Sequence, residues 1–142
     1  MGDGARGGRE LGRALHHVRG LLLDLDGVLV RAEQAIPGAA DALAALERRA
    51  IPYLVVTNAS LVSRATLARS GARLGLSTPP DRFQSALSAT AALTAERFRD
   101  RPLYVIASPD ALTEFAGQHV LDRRAIDAGA DVAAVVLGDL PD

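Results

Sequence analysis

Asp24 and Asp26 stand two positions apart, at the end of an apolar run and just before Gly27. Two carboxylates in so short a span concentrate negative charge. In a confined place that charge is costly unless a cation or bound donors offset it. A divalent ion that prefers oxygen ligands, Mg2+ foremost, would resolve it. Two such carboxylates can also divide labour, one attacking an electrophile while the other moves a proton. Gly27 permits a tight turn or a close backbone approach to a ligand. The plainer alternative is that the aspartates make an Asx turn or cap the following segment. Thr57-Asn58 and Ser108 follow two further apolar runs. Each offers a hydroxyl or amide to a ligand, or simply ends a strand and caps a helix.

These residues need elements to hold them. The unbroken apolar run 21–25 predicts a strand buried on both faces, ending at Asp24-Leu25-Asp26-Gly27. Pro37-Gly38 opens a helix to about 49, with Ala39, Leu43, Leu46 and Ala50 along one face. A second buried strand, 53–56, ends at Thr57-Asn58. Ser60 or Ser63 caps the next helix, which Gly75 stops. Residues 81–99 read as helix with Ala86, Ala89, Leu93 and Phe98 inward, 103–107 as a third strand, and 132–137 as a fourth. Between them, 118–130 reads as loop with at most one helical turn. Strands separated by helices imply an α/β fold, a doubly wound parallel sheet with right-handed crossovers. In such sheets ligands bind at the carboxyl ends of the strands, where Asp24, Asp26, Thr57 and Asn58 fall.

Composition narrows the chemistry. The 142 residues suit one domain, and the net charge is −1, without the basic surplus of a nucleic-acid binder. All 16 basic residues are arginine and no cysteine occurs. The missing lysine excludes a Walker-type phosphate loop and Schiff-base chemistry; the missing cysteine excludes disulfides, thiolate nucleophiles and zinc–thiolate sites. No apolar run approaches the roughly 20 residues that span a bilayer. Residues 1–19 are Gly- and Arg-rich and read as a disordered or partly helical extension, with 20–142 as the folded part. They lack a signal-like apolar stretch, which favours the cytoplasm. His16-His17 has no third ligand nearby and reads as ordinary histidine. Arg123-Arg124 reads as a solvated loop pair, and the glycosylation sequon Asn58-Ala59-Ser60 as chance.

The string LLLDLDGVLV resembles the first motif of the haloacid dehalogenase (HAD) superfamily, and YLVVTN resembles its second. DLDGVLVRAEQAIPGAADAL followed by VVTNAS is similar to the IIA branch, the phosphatases of nitrophenylphosphate, phosphoglycolate and pyridoxal phosphate. SALSATAALTAERF, YVIASP and AAVVLG extend the resemblance over about 20–140. It implies that Asp24 is the nucleophile, forming an aspartyl-phosphate, and a Mg2+ ligand. Asp26 is implied as general acid and base, with its carbonyl a second metal ligand. Gly27 would offer its backbone N–H to phosphate. Thr57 would hydrogen-bond the transferring phosphoryl group, with Asn58 beside it. The expected substrate is a small phosphate ester.

The sequence departs from the family pattern in its later parts. No lysine is present to act as the usual third-motif cation. Gly138-Asp139 begins like the acidic fourth motif, but Leu140-Pro141-Asp142 does not complete it. The expectation is a partial HAD-like core that ends near where a cap domain would begin, with little or no activity alone. A non-catalytic phosphate-binding or interaction module is the alternative. An incomplete sheet would expose an edge that invites a homo-oligomer or a complementing C-terminal half. A phosphoacceptor receiver domain would need an acceptor Asp at the end of the next strand, where Thr57 stands, and a Lys, which the chain lacks. Ser108 is expected to cap the helix after it rather than to touch a ligand, and Asp139 is set aside as a metal ligand.

Overall fold

The computed structural model describes residues 17–140. The expected extension therefore falls outside the described residues as far as His16.

The strand β1 (Leu21–Asp24) lies parallel to β4 (Tyr53–Thr57), which lies parallel to β5 (Phe83–Ser85). The helix α1 (Ala39–Arg48) fills the crossover from β1 to β4, and α2 (Arg64–Arg73) fills that from β4 to β5. After β1 the chain makes a short antiparallel ribbon, β2 (Val30–Arg31) and β3 (Gln34–Ala35). A second parallel sheet, in the order β7-β6-β8, uses β6 (Leu103–Ile106), β7 (Val120–Leu121) and β8 (Ala134–Leu137). It is flanked by α3 (Ala86–Arg97), the short α4 (Pro109–Leu112) and α5 (Arg123–Asp127). The α/β class with parallel strands holds, but the strands divide into two three-stranded sheets rather than joining in one.

Each sheet has its own hydrophobic cluster. Leu29, Leu43, Tyr53, Val55, Leu76 and Phe83 bury together against the first. Leu87, Leu103, Val105, Phe115 and Val136 do so against the second. The division falls between Phe83 and Leu87, at the start of α3. Ser85 is the pivot there. Its hydroxyl accepts from Ser88 N at 3.0 Å, while Ser88 Oγ accepts from Ser85 N at 2.9 Å. This reciprocal pair fixes where strand ends and helix begins.

The stretch 81–99 is mostly helical and Phe98 packs inward as expected, but that cap moves the helix start and changes the rest of its buried face. Residues 80–85 are a 3-10 turn and a strand, and the buried stripe is Leu87, Ser88, Ala91 and Thr94. Ala86, Ala89 and Leu93 face solvent. Starting the helix at residue 86 rather than 81 sets its rotation. For α1, Ala39 and Leu43 are buried as expected, but Ala50 is exposed past the helix end. Gly75 does stop α2, at φ +80°, a left-handed value that glycine adopts at little cost. The stretch read as loop at 118–130 instead contains β7 and α5, and Arg123 and Arg124 lie on α5, exposed, with Arg123 paired to Asp127 at 2.8 Å.

The first strand is not buried on both faces. Its burial alternates: Leu21 and Leu23 pack on the first cluster, while Leu22 is 74% exposed. Leu54, in register with Leu22, is exposed on the same face. The second sheet repeats the arrangement, with Val135 and Leu137 outward opposite Tyr104 and Ile106.

Leu43 is 2% exposed at the centre of the first cluster. Leu43→Ala should destabilise the chain by about 2–5 kcal/mol, the range for a buried leucine that leaves a cavity. Urea unfolding measures this. A loss below roughly 1 kcal/mol would mean that α1 is not seated as described.

Candidate active site

Asp24 ends β1, and its backbone register partner on β4 is Val56. Thr57 follows directly, so the two side chains come to the same carboxyl edge of adjacent strands. They reach it from different sides. Asp24 shares the exposed side of β1 with Leu22, whereas Thr57 lies on the side of Tyr53 and Val55 and is 4% exposed.

The loop after Asp24 is tightly built. Leu25 O accepts from Leu29 N at 3.0 Å and from Val30 N at 2.9 Å. Leu25 N donates to Val56 O at 3.1 Å, which ties the loop to β4. Leu29 is buried in the first cluster and anchors the far side. Asp26 forms an isolated bridge with Val30, and its side chain, like that of Asp24, is exposed. Gly27 takes φ +87°, and a Cβ there would meet nothing within 4 Å. Glycine is therefore required at 27 by backbone conformation and not by crowding. The Gly27 N–H donates to Val30 O at 2.7 Å. In this arrangement that N–H serves the turn, a different role from the phosphate contact expected of it.

Thr57 Oγ1 accepts from Ala59 N at 3.2 Å. A hydroxyl has one proton to give besides its lone pairs, so the Thr57 hydroxyl can still donate to a ligand. Asn58 is exposed beside it. Asp24 and Thr57 at the strand ends, with Asp26 and Asn58 on the loops that follow, thus sit at one edge of the first sheet, where open parallel sheets bind ligands. Among the described residues no group of three or more His, Cys, Asp and Glu side chains gathers as a metal cage. The donors at hand are hard oxygens, which suits Mg2+. That ion is commonly held by one or two carboxylates and completes its shell with water and phosphate. A cavity of about 790 Å3 lies at the opposite ends of β1 and β4, among Gly20, Pro52, Glu47 and Arg82. It is at the amino ends of the strands, so it is not the site that this topology favours.

The residues that hold the edge in place lie outside the motifs. The loop 58–63 leads from Thr57 to α2, and the second sheet grips it. Ser108 caps α4 as expected, accepting from Ala111 N at 3.0 Å, and its hydroxyl also donates to Leu61 O at 2.6 Å. Asp110 accepts from Ser63 N at 2.7 Å, from Ser63 Oγ at 3.1 Å and from Thr66 Oγ1 at 2.9 Å. Glu114, with its side chain 6% exposed, accepts from Arg64 N and Arg64 Nε at 2.7 and 2.9 Å. Asp139 accepts from Ser60 Oγ. The only sequence signal was Ser108-Pro109-Asp110, which reads as a local helix start.

The Ser63 backbone N–H holds the Asp110 carboxyl below its ordinary value of 3.8. The hydroxyls of Thr66 and Ser63 and the charge of Arg69 add to this, while burial works against it.

A protein-family model for haloacid dehalogenase-like hydrolases matches residues 21–120. A dihydroxyacetone phosphatase from Corynebacterium glutamicum is 30% identical over 118 residues, covering 83% of this chain and 41% of that protein. A human glycerol-3-phosphate phosphatase is 39% identical over 102 residues, covering 66% of this chain and 32% of its own length. Among solved structures, NagD from Escherichia coli superposes with a TM-score of 0.72 at 26% identity, covering 86% of this chain and 46% of NagD. The chain thus spans less than half the length of each. Among the described residues, no helix is long and apolar enough to cross a membrane.

A carboxyl held low in the folded state stabilises it above the unfolded value and stops doing so as pH falls through the folded one. Stability should therefore decline below about pH 4, and Asp110→Asn should flatten that decline. Urea midpoints at pH 3, 4, 5 and 7 check this. Parallel pH profiles for the two proteins would show that Asp110 does not carry the acid sensitivity.

Proposed function

Because the chain belongs to the haloacid dehalogenase-like hydrolases, whose model spans residues 21–120, we propose that it carries the nucleophile-bearing part of a phosphomonoester phosphatase. The observation that carries the reading is Asp24 at the carboxyl end of β1, with Asp26 and Gly27 in the loop and Thr57 on the adjacent strand end. A carboxylate oxygen of Asp24 attacks phosphorus, and the bond from phosphorus to the leaving oxygen breaks. Asp26, protonated, gives its proton to that oxygen. A water then attacks the phosphorus of the aspartyl-phosphate, Asp26 takes the water's proton, and the bond to Asp24 breaks to release inorganic phosphate. Thr57 donates its free hydroxyl proton to a phosphoryl oxygen, and Asn58 offers its amide from the loop. Phosphoryl transfer depends mainly on positioning and on stabilising the charge of those oxygens.

Mg2+, when bound, neutralises phosphate charge; the Asp24 carboxylate and the Asp26 carbonyl are the groups that would hold it. The substrate class is a small phosphate ester, in keeping with the names of the relatives. The cysteine-free composition fits the cytoplasm as compartment.

Turnover by these 142 residues alone is expected to be very slow or absent. Among the described residues neither Asp24 nor Asp26 takes part in an ion pair, and the sequence holds no lysine to face the phosphate. The second reading is a module that binds phosphate without turnover; the missing lysine is what favours it.

Phosphate release from 4-nitrophenyl phosphate, with and without Mg2+, tests the first reading. It predicts slow, Mg2+-dependent release that Asp24→Asn takes to background. Asp26→Asn should lower it about 10²–10⁴-fold, the usual contribution of general acid–base catalysis. Release that survives Asp24→Asn, or that ignores Mg2+, would sink the phosphatase reading. Release above background that Asp24→Asn abolishes would sink the second.

A further inference from the structure

Thr57 is the last residue of β4, in register with Ser85, and the loop that follows it does not hold itself. Within 57–63, Ala59 N donates back to Thr57 Oγ1 at 3.2 Å, and Ala59 O accepts a long bond, 3.4 Å, from Leu87 N. The side-chain ties to the loop come from beyond it, at the carboxyl ends of β6 and β8. Ser108 donates to Leu61 O at 2.6 Å. Asp110 takes both the backbone and the hydroxyl protons of Ser63. Asp139 takes the proton of Ser60 Oγ. Gly138 backs the same contact: a Cβ there would lie 3.2 Å from Ala107 Cβ and 3.7 Å from Ser60 O.

Asp110 suits this work for a further reason. It sits against the first turn of α2, so the N–H end of that helix favours its negative charge. Bonds to a charged acceptor are also stronger than neutral ones. Ser108 is 7% exposed, so an unpaired partner there would be shielded from water.

We propose that Ser108 and Asp110 are positioning residues for Thr57. By fixing Leu61 and Ser63 they fix Ala59, and the Ala59 N–H in turn fixes the lone pairs of the Thr57 hydroxyl, so that its proton points out of the strand end. The catalytic consequence rests on the phosphatase reading; the geometric claim does not.

The Ala59 amide proton reports the last link of this relay, and nuclear magnetic resonance reads it directly. In the 142-residue chain, Ser108→Ala and Asp110→Ala should each speed Ala59 amide exchange about tenfold, the effect of losing one net hydrogen bond. Amides of Val55 and Val105, in the two sheets, should change far less. Ser108→Thr keeps the hydroxyl and should restore the exchange rate and the Ala59 amide shift. Thr66→Val removes one of the donors to Asp110 and gives a milder perturbation should the alanine variants not fold. Asp122→Ala removes the cap of α5, which accepts from Ala125 N at 2.9 Å, and should leave Ala59 unchanged. Where release from 4-nitrophenyl phosphate is measurable, Ser108→Ala should lower kcat with KM little changed. Ala59 exchange that stays at the parent rate, or that rises only in step with Val55 and Val105, overturns the proposal. Release that survives Asp24→Asn counts against the phosphatase reading alone, because the exchange experiment still decides the geometric claim.

Discussion

A helix begins with N–H groups that its own turns cannot satisfy. In this chain that constraint, at the start of α2, joins the two halves of the molecule. Ser63 satisfies Thr66 N from within, at 3.2 Å. Ala65 is exposed, and the N–H groups of Ser63 and Arg64 are met by carboxylates from across the boundary, Asp110 and Glu114. Each sheet has its own hydrophobic cluster, so apolar burial alone would let them settle independently. Charge-assisted bonds are directional and fix an orientation that apolar contact leaves loose. The helix held in this way is the one that follows Thr57, so the join between the halves and the edge of the site are the same place.

The acidic edge itself is shaped by a compromise. A turn must follow β1 closely enough to keep Asp24 and Asp26 together, and the backbone bonds of Leu25 and Gly27 with Leu29 and Val30 make that turn. Leu29 then buries its side chain in the first cluster, so the loop is fastened at its far end by packing. Both aspartates remain exposed at the surface of the loop.

Much of this was legible in the sequence. An apolar run that stops at Asp-x-Asp-Gly can end as a strand in few ways, and β1 and β4 fall where their runs place them. The resemblance carried by LLLDLDGVLV and YLVVTN agrees with the family match over residues 21–120. What escaped was decided at long range. The strand Phe83–Ser85 holds only three residues, and Gln84 and Ser85 carry no strand pattern; its pairing with Val55–Thr57 decides it. The hairpin β2–β3 turns on Ala32 and Glu33, both with positive φ, where Asn-Gly would have announced the turn. Asp110 reads locally as a helix-start residue. Its bonds to Ser63 and Thr66 bridge more than forty positions of sequence, and no local pattern encodes them. The division into two sheets is likewise a matter of pairing, which hydrophobic periodicity does not specify.

The outward faces of the two sheets bear on how the fold responds to temperature. Leu22 and Leu137 are about three-quarters exposed at 74% and 75%, and Leu54 and Val135 accompany them. Water already solvates these side chains in the native state. Unfolding therefore uncovers less new apolar surface than the chain's length suggests. The heat capacity of unfolding follows newly exposed apolar area, averaging roughly 12–15 cal/mol/K per residue in compact domains. This chain should lie under that average, and its stability should vary with temperature along a shallower arc, less sensitive to cooling than that of a fully covered fold.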